Sequence, residues 1–197
     1  MNEVRIIGGM WKRRKLAFPS RRDLRPSPDR TRVTLFNWLA GYIEGRRCLD
    51  LFAGSGALGF EAASRGAAEV ILVERDAVAA RELEAARTRL GGAMCTIVHR
   101  DGLAWLREQV AAFDIVFLDP PFESRLLEQA LTALRTGALV ASDGWVYIEF
   151  RKGAPPRLDG WHVEKTTQAG ESQSQLLRLV TEPPHPVPSP PLPRGGS

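Results

Sequence analysis

The chain has 197 residues, 44% apolar and 25% charged, with a net charge of +4. This is the composition of one globular domain with a sizeable core, and no apolar run is long enough to span a bilayer, so a cytoplasmic address and no membrane partner are expected. The charge is uneven: residues 1–32 carry ten Lys/Arg against Glu3, Asp23 and Asp29, a net of +7 that leaves −3 for the remainder, and a basic arm on a mildly acidic body suggests a polyanionic partner held at one end.

Arg5 to Phe18 reads as two short strands around Gly8-Gly9 and a basic cluster, which predicts a hairpin. Ser27-Pro28-Asp29 has the chemistry of a helix start: a capping hydroxyl, a proline at the first helical position and an acid facing the dipole. Val33, Phe36, Ala40 and Ile43 then recur at helical spacing as far as Gly45. Strands and helices alternate from there. Strands are predicted at Cys48–Phe52, Val70–Val73, Cys95–Val98, Ile115–Leu118 and Trp145–Ile148. Helices are predicted at Leu58–Ser64, Ala77–Leu90, Gly102–Val110 and Glu123–Arg135. Two more strands, Trp161–Thr166 and Gln175–Val180, follow with no helix between them. The pattern predicts an α/β fold: an open, Rossmann-like, mostly parallel sheet with an antiparallel pair at one edge.

Three segments are expected: a basic arm at 1–26, the α/β domain at 27–182, and a disordered, proline-rich tail at 183–197, which holds seven of the fourteen prolines. Cys48 and Cys95 lack CxxC spacing and read as buried thiols, and His99, His162 and His185 are too scattered to predict a metal site.

Leu49 to Phe60, LDLFAGSGALGF, contains a literal G-x-G-x-x-G from Gly54 to Gly59 between a strand and a helix. The first two glycines let the backbone turn sharply and approach a ligand, and the third allows close helix–strand packing. Glu74 ends the next strand, where an acid can accept hydrogen bonds from ribose hydroxyls. Asp50 lies in the strand just before the loop. A carboxylate there repels a pyrophosphate but suits the α-ammonium of S-adenosylmethionine, so that cofactor is expected rather than NAD. Asp101 can hydrogen-bond an adenine amino group, or cap the helix starting at Gly102; the two roles are compatible. The expected cofactor-binding set is Asp50, Phe52, Ala53, Gly54, Gly56, Glu74, Arg75, Asp101 and Gly102.

Val116 to Phe122, VFLDPPF, ends a buried strand on an acid and stiffens the residues after it. An exocyclic base amine is a poor nucleophile because its lone pair is delocalised. The Asp119 carboxylate and the Pro120 carbonyl can grip its two N–H bonds while Phe122 stacks on the ring. Asp119, Pro120, Pro121 and Phe122 are therefore the predicted catalytic residues, acting on a flipped or unpaired base.

With LDLFAGSGALG and DPPF placed, the chain resembles class I S-adenosylmethionine-dependent methyltransferases. More narrowly it is similar to the bacterial small-subunit rRNA guanine-N2-methyltransferase (RsmD) family, over about residues 4–181. RIIGG at Arg5–Gly9, RKL at Arg14–Leu16, LRPSPDRTR at Leu24–Arg32 and TLFNWL at Thr34–Leu39 carry the narrower likeness. The resemblance implies methylation of a guanine exocyclic amine in 16S rRNA within an assembling 30S subunit, by a protein expected to be monomeric. Arg5, Trp11, Lys12, Arg13, Arg14, Lys15, Arg25, Arg30 and Arg32 are the expected RNA contacts. For Trp11 the residues leave two readings open, a stacking platform or an apolar cap on the hairpin. The alternatives are a DNA adenine-N6 methyltransferase, an NAD-linked oxidoreductase and a non-catalytic RNA-binding module.

Overall fold

The computed structural model describes residues 2–19, 29–122 and 125–180. The Ser27-Pro28 helix start, Arg25 and the proline-rich tail lie outside the described residues.

The chain opens with a hairpin. Strand β1, Asn2–Arg5, pairs antiparallel with β2, Lys15–Phe18. Helix α1, Asp29–Trp38, follows. It is shorter than its apolar spacing predicts. Gly41 and Gly45 take positive φ (78° and 74°), and the bonds tighten to three-residue turns at Ala40 and Tyr42.

Four strand–helix steps and a closing strand then build the body: β3 Arg47–Asp50, α2 Ala57–Ser64, β4 Glu69–Glu74, α3 Ala77–Leu90, β5 Cys95–His99, α4 Gly102–Leu106, β6 Phe113–Leu118, α5 Leu126–Thr136 and β7 Val140–Arg151. The ends follow from local chemistry. The Asp76 side chain caps α3 by accepting from the Val78 and Ala79 amides, and Gly91 closes it at φ 67°. Helix α4 stops short of the expected Val110. Strand β7 is longer than expected and carries a register shift opposite Phe113–Ile115.

The sheet has seven strands in the order β5-β4-β3-β6-β7-β9-β8, where β8 is Trp161–Ala169 and β9 is Ser172–Leu179. Strands β3 to β7 run parallel, and β9 lies antiparallel to both β7 and β8, as the missing helix between the last two strands predicts. The strand order reverses between β3 and β6. In doubly wound sheets that reversal opens a crevice at the carboxyl ends of the strands.

Apolar residues of the central strands are buried on both faces. One face carries Cys48, Leu72, Phe117 and Tyr147 under α1, α2 and the hairpin; the other carries Leu49, Val116 and Ile148 under α4 and α5. The hairpin contributes Val4, Ile6, Trp11, Leu16 and Phe18 to the first of these cores. No helix among the described residues is long and apolar enough to cross a membrane.

Candidate functional site

The glycine loop joins β3 to α2. Gly54 and Gly56 both have positive φ, 52° and 74°. A Cβ on Gly56 would stand 2.6 Å from Leu83 and Phe60, and one on Gly59 would stand 2.7 Å from Leu72. Gly56 is thus favoured by both the turn and packing, and Gly59, inside α2, by packing alone. Phe52 is half-buried and Ala53 buried, and the Ala53 amide donates to the Val73 carbonyl.

Glu74 ties the loop to the end of β4. One of its oxygens accepts from the Gly54 amide at 2.8 Å and the other from the Asp76 amide at 2.7 Å. Each oxygen keeps a second lone pair for a ribose hydroxyl. Arg75, next along, is exposed. Asp50 is 2% exposed and accepts from the Gly59 amide at 2.9 Å. Burial pushes its carboxyl up to about 7; the Gly59 bond opposes the rise and the Glu74 charge adds to it. Asp101 takes the capping role, accepting from the Ala104 amide at 2.9 Å, and its exposed side chain retains acceptor capacity. Gly102 lets the start of α4 touch the loop, since a Cβ there would be 2.7 Å from the Leu51 carbonyl oxygen.

The two sequence motifs meet because β3 and β6, far apart in the chain, are neighbours. Asp50 pairs with Phe117, so Asp119 sits two residues further along the adjacent strand on the same face. Asp119 is half-buried, Pro120 is buried, and Pro121 and Phe122 are exposed, with Phe122 46% accessible and available to stack. Pro120, Pro121 and Phe122 line a cavity of about 190 Å³ together with Glu149 and Phe150. The donor set suits a hydroxyl-bearing cationic ligand: three carboxylates surround a loop that carries no basic residue from Leu49 to Gly59. S-adenosylmethionine fits that description and a pyrophosphate does not.

Arg5, Lys12, Arg13, Arg14 and Lys15 are exposed on the hairpin, and Arg30 is exposed at the start of α1. Two expected RNA contacts need correction. Trp11 is 7% exposed and packs edge-on against Phe60, so it caps the apolar face of the hairpin and offers no stacking platform. The Arg32 side chain is fully buried, paired with Asp29 at 2.5 Å and donating to the Arg5 carbonyl, so it is a strut and cannot reach a phosphate.

Sequence reasoning missed two groups of residues. Glu61, on α2, is fully buried and accepts from the amides of Ile7 and Gly8 at 2.6 and 2.8 Å. Ser64, one turn later, accepts from the Trp11 amide and donates to the Gly8 carbonyl. The basic hairpin is therefore fastened to the helix that begins at the glycine loop. The second group is Tyr147, Glu149, Ser172 and Ser174, on facing positions of β7 and β9. The polar residues alternating with apolar ones in VYIEF were the only sequence trace of it.

The sequence family described as "Conserved hypothetical protein 95" matches residues 4–178. "Ribosomal RNA small subunit methyltransferase D" of Escherichia coli is 39% identical over 178 residues, 89% of this chain and 90% of that protein. Its namesake in Haemophilus influenzae is 41% identical over 172 residues, 84% of this chain and 89% of that one. The chain belongs to the RsmD family. The solved structure of yhhF from Escherichia coli superposes with a TM-score of 0.83 at 37% identity, covering 91% of this chain and 100% of that one. TrmN from Thermus thermophilus, at 22% identity and a TM-score of 0.60, shares the fold alone; it covers 74% of this chain and 47% of TrmN. This RsmD-family chain has the Rossmann-like class I methyltransferase architecture that the resemblance implies, with the mostly parallel sheet and antiparallel edge pair that its strand–helix alternation predicts.

Proposed function

We propose that this RsmD-family protein transfers a methyl group from S-adenosylmethionine to the exocyclic N2 amine of a guanine in 16S rRNA, acting as a cytoplasmic monomer on an assembling 30S subunit. The observation that carries the reading is the adjacency of β3 and β6, which sets Asp119-Pro120 beside the glycine loop at the reversal of strand order. The relatives named as rRNA small-subunit methyltransferases supply the substrate class.

Bound S-adenosylmethionine supplies an electrophilic methyl group on a sulfonium centre. Around it Glu74 and Asp101 accept from the nucleoside end, the Gly54–Gly56 backbone lets the ligand lie close, and Asp50 faces the ammonium end. Arg75, Phe52, Ala53 and Gly102 form the walls. On the substrate side the Asp119 carboxylate and the Pro120 carbonyl each accept one N–H of the target amine, and Phe122 stacks on the ring. Gripping both hydrogens favours pyramidalisation as the carbon–nitrogen bond forms. Positioning dominates, because the proton need leave only from the cationic product, to solvent water, after the sulfur–methyl bond has broken. The exposed arginines and lysines of the hairpin, with Arg25 and Arg30, contact phosphates.

The test is a radiolabelled methyl assay on 30S particles, free 16S rRNA and DNA, followed by nucleoside analysis. The expected product is N2-methylguanosine, with the rate reduced at least ~10³-fold in Asp119→Ala while cofactor affinity stays within about twofold of wild type. Label in adenine, or loss of cofactor binding in that variant, would overturn the assignment of roles.

A further inference from the structure

Beyond Asp119, the carboxyl edge of the sheet holds a second acid that the proposed chemistry does not use. Leu118 pairs with Ile148 in the parallel β6–β7 ladder, so the next residue of each strand, Asp119 and Glu149, are neighbours. They share the face of the sheet that carries Phe117 and Tyr147, whose rings lie 6.4 Å apart. Glu149 is 3% exposed and lines the cavity formed by Pro120, Pro121 and Phe122.

Hydroxyls hold this carboxylate from both sides. The Tyr147 hydroxyl lies 2.9 Å from Glu149 Oε2 and 3.0 Å from Ser174 Oγ; having one proton, it donates to the acid and accepts from the serine. Ser172 Oγ donates to Glu149 Oε1. The arrangement makes Glu149 an acceptor. Burial holds the Tyr147 hydroxyl well above its ordinary range, and the Glu149 and Asp119 charges add to the rise.

Two acceptors on adjacent strands match one nucleobase edge in particular. Guanine presents N1–H beside its N2 amine, two donors side by side. Adenine presents an acceptor, N1, beside its N6 amine. We propose that Glu149 is a specificity-determining residue of this pocket, accepting the N1–H of the guanine whose N2 amine Asp119 holds. This inference rests on the proposed function. A ring nitrogen bearing a lone pair in that position would face a buried carboxylate, an unmatched acceptor pair in a low-dielectric site, and would be rejected strongly.

The test compares 16S rRNA carrying guanine at the mapped target with the same RNA carrying 2-aminopurine there. 2-Aminopurine keeps the 2-amine but lacks the N1 hydrogen. The wild-type enzyme is expected to prefer guanine by roughly thirtyfold or more in kcat/KM, the scale of one charge-assisted hydrogen bond. In Glu149→Gln the side-chain amide can turn its NH2 toward N1, so the preference should shrink to within about threefold, with S-adenosylmethionine affinity unchanged. Equal wild-type rates on the two RNAs would overturn the proposal, and that measurement needs no variant to fold. A Glu149→Gln enzyme slowed equally on both RNAs would overturn it too, because a merely structural role does not depend on the base. If wild type makes no N2-methylguanosine on the unmodified RNA, the underlying functional reading fails first and the inference goes with it.

Discussion

Replacing Asp50 by asparagine isolates the electrostatics of the cofactor loop. The carboxyl is buried, accepts from the Gly59 amide and lies in the field of Glu74; burial outweighs that bond and raises it from an ordinary 3.8 to about 7. Between those two values the folded chain binds a proton that the unfolded chain has released. Raising the pH across this window therefore favours unfolding. Integrated from pH 4.5 to 7.5, the single group removes about 3 kcal/mol of stability, which for a domain of this length is a fall in Tm of roughly 6–12 °C. Asparagine keeps an oxygen for the Gly59 amide and does not titrate. Urea melts of wild type and Asp50→Asn at half-unit steps over that range isolate the group, since other titrations cancel in the difference. The variant is expected to gain on wild type by about 3 kcal/mol as pH rises, and at pH 7.5 to be the more stable protein without ligand. It should also bind S-adenosylmethionine at least ~10-fold more weakly, having lost the charge that faces the ammonium. Parallel stability curves, diverging by less than about 0.5 kcal/mol, would refute the burial argument.

Two further changes probe the hairpin and its seat. Gly9 has φ 72°, and a Cβ there would fall 1.8 Å from the Ser64 carbonyl oxygen, so Gly9→Ala should cost about 2–4 kcal/mol in denaturant melts and loosen the hairpin from α2. Trp11→Ala and Arg14→Ala should separate core from contact: the first should lower stability by about 3–5 kcal/mol, while the second leaves stability within about 0.5 kcal/mol and reduces the slope of log affinity for 16S rRNA against log salt by about 0.7–0.9. A salt slope that moves with Trp11 instead would restore its role at the RNA surface.

Local chemistry made much of the fold legible in the sequence. Alternating patterns marked every parallel strand and its crossover helix, since a strand end, an N-cap such as Asp76 or a C-cap such as Gly91 is decided within four or five residues. The glycine loop and DPPF were readable for the same reason: each is a short run whose backbone demands are written in its own residues. The helix after Asp29 was overextended, because apolar spacing continued to Ile43 while Gly41 and Gly45 had already turned the chain.

Tertiary structure alone decided which motifs meet. Nothing local to Asp50 or Asp119 says that their strands are neighbours; that follows from the sheet's reversal of order. It also decided which members of the basic arm face solvent. Trp11 and Arg32 sit among residues of identical local character, yet packing against Phe60 buries one and pairing with Asp29 and the Arg5 carbonyl buries the other. Glu61 gave no signal, and Glu149 only the alternation in VYIEF, for the opposite reason. A buried acid is tolerated only where distant donors converge on it, and those donors, the Ile7 and Gly8 amides and the Ser172 hydroxyl, come from remote parts of the chain that only the folded state brings together.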